Sequence, residues 1–179
     1  GYAWLNSDED GEPRVSASWP VDLFSGLYAG LATAMALLDR QRTGGMVIDV
    51  SMMEVAVAAL LGPAAILSGE GKRLLPGMGN RDRASAPANI YRCMDGHVYI
   101  YGGLDRYWEK LRPLIGGGHA TREERLARAA HFDRQVEAWT GRMRREDILE
   151  QLAALSIPAG AVRDPEEAVR MVKAATPDA

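Results

Sequence analysis

A chain of 179 residues, 47% hydrophobic and 25% charged, can build a globular core and is neither a disordered tail nor a collagen-like fibre. Against 24 acidic residues stand 21 basic ones, and the net charge of −3 implies no general affinity for nucleic acid or an anionic membrane. The single cysteine, Cys93, excludes an internal disulfide and a cysteine-built zinc site, and fits a reducing cytoplasm.

Residues 1–21 read as loop. The cluster Asp8-Glu9-Asp10, followed by Gly11 and Pro13, has no apolar period and no histidine at ligand spacing, so it reads as a solvated connection. A helix is predicted from Asp22 to about Arg40. Leu23, Leu27, Leu31, Ala34 and Leu38 form its apolar stripe. Asp22, Gly26, Ala29, Gly30 and Thr33 form a second stripe of small or polar residues, able to lie against a backbone or a ligand. Thr43-Gly44-Gly45 stops the helix. Val47, Ile48 and Val50 suggest a short strand, and residues 52–68 a second helix rich in Ala and Leu. The apolar run Leu23–Leu38 is 16 residues long, short of the roughly 20 that span a membrane. The run Val55–Leu67 is shorter and contains Gly62-Pro63. Both are expected to be buried core helices, with no membrane partner.

Residues 69–87 are rich in Gly, Pro and Arg and read as a linker. Beyond it, residues 89–94 and 97–101 flank Asp95-Gly96, a hairpin signal. Short amphipathic helices follow. Trp108, Leu111 and Ile115 mark the first, and Thr121 with Glu124 makes a capping box for the second. Phe132, Val136 and Trp139 mark the third, and Ile148, Leu152 and Leu155 the fourth. Ile157–Val162 is a short-strand candidate. Asp164-Pro165-Glu166-Glu167 is a helix start with an N-cap, a Pro and acids in the first turn.

Few side chains offer chemistry. His97, His119 and His131 have no partner at helical spacing, so no metal site is expected; the first two should be exposed, and His131 should precede a helix. Cys93 sits in a predicted strand, where a buried inert thiol is usual. Gly102-Gly103 lies between strand and helix; its amides could hold an anion, but a tight connection is the simpler reading. Asp22 admits two compatible readings. As a helix N-cap it would accept backbone N–H bonds. As a carboxylate nucleophile it would attack a carbonyl and carry an acyl group as an anhydride. Spacing does not choose between them.

From Asp22 onward the chain resembles the class III CoA-transferases, the family of formyl-CoA and carnitine CoA-transferases. The resemblance rests on Val21-Asp22-Leu23 with Gly26, on Asp39-Arg40-Gln41-Arg42-Thr43-Gly44, and on Val47-Ile48-Asp49-Val50-Ser51-Met52. It continues with Gly79-Asn80-Arg81, Ala86-Pro87 and Tyr91-Arg92-Cys93-Met94-Asp95-Gly96, then Trp108, Leu111, Trp139-Thr140 and Ile157-Pro158-Ala159. It departs from the family at Thr43-Gly44-Gly45-Met46, which is one residue shorter than the usual TGxGQ and lacks the Gln.

The resemblance implies an α/β chain and a CoA-transferase with coenzyme A, as acyl-CoA, for its substrate and no metal. Asp22 would be the catalytic aspartate, forming an acyl anhydride and then an aspartyl-CoA thioester before a carboxylic acid acceptor takes the CoA. Met52 would line the CoA site. Asn80 and Arg81 would bind substrate, with Arg81 either pairing a substrate carboxylate or fixing the interdomain loop. Residues 1–68 would be the C-terminal portion of a CoA-binding large domain, 69–87 a linker, and 88–179 a small α+β domain with a hairpin and several helices. Family members are about twice this length. With Gly1 in place of an initiator Met, the chain reads as a central fragment of a cytoplasmic enzyme. The full-length protein would be an interlocked homodimer. One alternative is an α-methylacyl-CoA racemase-like enzyme of the same fold, using the aspartate as an acid/base, although Leu23-Phe24-Ser25-Gly26 favours the transferase. Another is a non-catalytic structural or dimerisation fragment.

Overall fold

A computed structural model describes residues 2–8, 11–60 and 78–175. The chain divides into two compact units, Gly1–Gly79 and Asn80–Ala179. The end of the expected 52–68 helix and residues 69–77 of the expected 69–87 linker lie outside the described residues.

The first unit is helical. A short helix α1 (Tyr2–Leu5) occupies part of the expected 1–21 loop. Ser7 caps its end, donating from Oγ to the Trp4 carbonyl at 2.7 Å. The long helix α2 (Pro20–Thr43) starts two residues before Asp22 and runs past Arg40. Pro20 explains the early start, because a first-turn residue needs no N–H and its fixed φ already suits a helix. At the other end Gly44 adopts φ 73°, and its N–H donates to the Arg40 carbonyl at 2.8 Å. That left-handed cap is cheap for glycine. α3 (Met52–Ala58) follows, its N-cap Ser51 accepting from the Glu54 N–H at 3.3 Å, and it packs against α2.

Three expectations are corrected here. First, residues 44–51 form no strand, and Val47 is 98% exposed. Extended backbone becomes a strand only when a second strand meets its ladder groups, and none does so among the described residues. Second, α2 is not a buried core helix within this unit. Leu23, Leu27, Leu31, Met35 and Leu38 are exposed, and Ser25 is its one buried residue. Third, the length objection to a membrane span does not hold for the folded helix. Its 24 residues are long and apolar enough to cross a bilayer by length and composition, a test that core helices of water-soluble proteins also pass.

The second unit is α+β. Strands β1 (Ala88–Cys93) and β2 (Gly96–Tyr101) form the hairpin, and β3 (Ala159–Val162) pairs antiparallel on the other edge of β2. Cys93 pairs with Gly96, so the turn residues are Met94-Asp95 and Gly96 opens the second strand, one residue earlier than predicted. Gly96 takes φ 141°, which a side chain would resist. The helices are α4 (Asp105–Leu111), α5 (Arg122–Ala127), α6 (Ala129–Thr140), α7 (Arg145–Ala154) and α8 (Pro165–Ala175). The capping box of Thr121 and Glu124 is formed in both directions at the start of α5. Asp164 caps α8, accepting from the Glu167 N–H at 2.7 Å.

Alternation buries Tyr91 and Cys93 of β1 and Val98 and Ile100 of β2 on one sheet face. Leu111, Val136, Ile148 and Leu152 project onto that face from α4, α6 and α7. Burying each such side chain contributes about 1.5–3 kcal/mol, which is why the predicted helix faces and the sheet find one another. Among the described residues two buried groups are charged, Asp133 of α6 and Arg125 of α5. Arg125 of α5 is 1% exposed and donates to the carbonyls of Ala86 (3.0 Å), Gly103 (2.8 Å) and Ala120 (2.6 Å), and to Asp105 Oδ1 at 2.6 Å. Its guanidinium also lies 5.2 Å from the Trp108 ring centre.

Gly102-Gly103 is a close backbone crossing. A Cβ on Gly102 would collide with Leu111 Cδ2, and one on Gly103 with Ser85 Oγ and the Ala86 nitrogen. Backbone cannot rotate away as a side-chain tip can. Gly103→Ala is therefore expected to destabilise this unit by about 1–3 kcal/mol, read from its urea midpoint; an unchanged midpoint would contradict the tight-connection reading.

Candidate functional site

Asp22 stands at the third position of α2, not at its N-cap. Trp19 is the N-cap and offers no side-chain bond. The N-cap reading of Asp22 is thereby corrected, but its carboxylate still lies in the first turn, where the positive helix end favours an anion. It is exposed, and among the described residues no ion pair to it is found. Ser25 turns its hydroxyl inward, donating to the Val21 carbonyl at 2.7 Å. One and two turns along, Gly26 and Gly30 have no described atom within 4 Å of where a Cβ would stand. The small-residue stripe beside Asp22 is thus open space among the described residues. Met52 is the first residue of α3 and is 48% exposed. Asp22 and Met52 therefore lie on two helices that pack together in the first unit.

Asn80 and Arg81 open the second unit. Asn80 is exposed, whereas Arg81 is held: its Nε donates to Asp133 Oδ2 at 2.5 Å. Asp133, on α6, is 8% exposed and also accepts from Asn89 Nδ2 at 3.2 Å and Tyr91 Oη at 2.7 Å. Burial first, and the Asp133 charge second, push the Tyr91 hydroxyl far above its usual range, so it stays protonated and donates. Neither Asp133 nor Arg125 was anticipated from the sequence. The signal for Asp133 was present: with Val136 and Thr140 it shares one helix face, and a carboxylate there must find buried partners.

The remaining chemically capable groups are accounted for locally. Burial raises the Cys93 thiol above its ordinary pKa, in keeping with an inert buried cysteine. His97 and His119 are exposed, and His119 Nδ1 lies 3.6 Å from Glu109 Oε1. His131 lies inside α6, not before it, edge-on to Phe132. Among the described residues no group of three His, Cys, Asp or Glu side chains could hold a metal. A groove of about 700 Å³ is lined by Asp95, Arg145, Glu150, Arg163 and Glu167. Within it Arg145 and Arg163 lie 3.2 and 3.4 Å from Glu167 Oε1. The Arg145 N–H bond, with Arg144 nearby, holds Asp95 below the usual carboxylate range.

Comparison with known proteins gives the family. An acetyl-CoA:oxalate CoA-transferase of Acetobacter aceti is 29% identical over 175 residues, covering 93% of this chain and 45% of that protein. A succinate–glutarate CoA-transferase of Agrobacterium fabrum is 25% identical, with 93% of this chain and 44% of that protein covered. Among solved structures, a CAIB/BAIF family protein from Brucella suis matches with a TM-score of 0.76 and 30% identity, over 95% of this chain and 49% of that one. The chain thus spans less than half the length of these relatives. Residues 1–176 match the family profile itself, and the chain belongs to CoA-transferase family III.

Proposed function

We propose that this chain is the central part of an enzyme that moves coenzyme A between carboxylic acids, with Asp22 as the nucleophile. The carrying observation is that Asp22, at the position implied by the family resemblance, is an exposed first-turn carboxylate with open space along the adjoining helix stripe. The printed names of the relatives, which move CoA onto oxalate or between succinate and glutarate, support the reaction class.

In the first step a carboxylate oxygen of Asp22 attacks the thioester carbonyl of acyl-CoA. The C–S bond breaks, CoA leaves as thiolate, and a mixed anhydride remains. The thiolate then attacks the aspartyl carbonyl, releasing the donor acid as carboxylate and leaving an aspartyl-CoA thioester. An acceptor carboxylate displaces the thiolate to form a second anhydride. Return of the thiolate to the acceptor's carbonyl gives the new acyl-CoA and restores the Asp22 carboxylate. No net proton is consumed. The carboxylate stands exposed in the first turn of α2, open to an incoming thioester. Met52, half exposed on the neighbouring helix, supplies an adaptable apolar contact for CoA. Cytoplasmic residence and a homodimer of the full-length protein belong to the same proposal.

Hydroxylamine tests the covalent steps. Added with succinyl-CoA, it should convert Asp22 to a hydroxamate that peptide mass spectrometry locates, and omitting the thioester should abolish the adduct. CoA transfer with Asp22 unmodified would refute the nucleophile.

A further inference from the structure

The Arg81 side chain has two potential employers, a substrate carboxylate or the protein itself, and its geometry favours the second. Asp133 is nearly buried, and its two oxygens take three donors: the Arg81 guanidinium and the Asn89 amide on one, the Tyr91 hydroxyl on the other. Asn89 and Tyr91 are neutral, so Arg81 is the cation that this carboxylate faces at short range. A buried carboxylate stripped of its cation is costly, because two neutral bonds do not replace a full charge. The backbone that follows Arg81 is fastened by the same unit. The Asp82 N–H donates to the Ala88 carbonyl at 2.9 Å, Arg122 Nη2 to the Ala84 carbonyl at 2.8 Å, and Arg125 Nε to the Ala86 carbonyl at 3.0 Å. Arg81 is thus the first of a series of ties running from 81 to 86, made by a side chain of the segment to a buried charge on a distant helix.

We propose that Arg81 and Asp133 form a positioning pair, in which the guanidinium fixes the backbone at Asn80 and does not serve as the counter-ion of a substrate carboxylate. Asp133 is then a second positioning residue, acting through Arg81. The tie itself is independent of the reaction; only its benefit to catalysis rests on the CoA-transferase reading.

Two measurements on the full chain test this separately. In the first, phenylglyoxal modification of Arg81 is followed by peptide mass spectrometry with and without succinate in excess. Arg81 should react slowly, succinate should not protect it, and D133N should speed its modification about tenfold or more, the worth of a hydrogen bond between charged groups. Protection by succinate, or an unchanged rate in D133N that retains its circular dichroism, would overturn the proposal. In the second, R81K and D133N should lower kcat by similar factors, leave the acceptor KM within about twofold, and show no further loss when combined. A rise in acceptor KM confined to R81K would assign Arg81 to the substrate instead. Should CoA transfer be absent, the labelling rates still decide whether the tie exists, so failure of the reaction and failure of the pair are distinguishable.

Discussion

Asp22→Asn is expected to lower CoA transfer by about a thousandfold or more, with the fold intact. The amide is nearly the same shape, so helix α2 and the open stripe beside it should persist. It lacks the charge needed to attack a thioester, and removing a nucleophile costs several powers of ten in rate. Position 22 is exposed and its side chain supports no packing in the first unit, so thermal unfolding should shift little. The check is initial rates with succinyl-CoA and a dicarboxylate acceptor, alongside a melting curve. Transfer within tenfold of the parent would remove Asp22 from the covalent role.

The largest effect on stability is expected at Arg125. Replacing it with methionine keeps much of the stem but withdraws the donors from three backbone carbonyls, those of Ala86, Gly103 and Ala120. Asp105 can turn to water, being largely exposed, so the cost falls on the carbonyls and on the lost stacking with Trp108. Together these predict a loss of about 3–5 kcal/mol from the second unit. Arg125→Lys should recover part of it, because an ammonium keeps the charge but not the planar fork that reaches several acceptors at once. Guanidinium unfolding of both variants reads the result. A loss below about 1 kcal/mol for the methionine variant would mean that water replaces the guanidinium.

The parts legible in the sequence were those with local causes. The hairpin around Asp95-Gly96, the capping box at Thr121 and the helix start at Asp164 each depend on residues within a few positions, and each formed. The apolar faces of α4, α6 and α7 followed from helical spacing alone, because Leu111, Val136 and Leu152 are buried wherever a sheet is available to cover them. The motif order pointing to the family was equally local, and Asp22 kept the first-turn position that gives it its interest.

What the sequence did not convey depended on distant chain. Val47-Ile48-Asp49-Val50 has the composition of a strand but meets no ladder partner among the described residues, and composition does not provide one. The apolar stripe of α2 looked like core, but whether a stripe is buried is settled by what lies over it. Within its unit Leu27, Leu31 and Leu38 are uncovered. Arg81 could be read from the sequence as a substrate ligand or as a loop anchor. Its partner Asp133 is 52 positions away, and a buried charge pair is defined by a meeting in space that no local pattern encodes. The sequence by itself determined the family, the place of the candidate nucleophile and the short-range elements, because these rest on spacing and caps. Only the tertiary structure decided which charges are buried together and which apolar faces find cover, because burial belongs to the packed chain and not to any one segment of it.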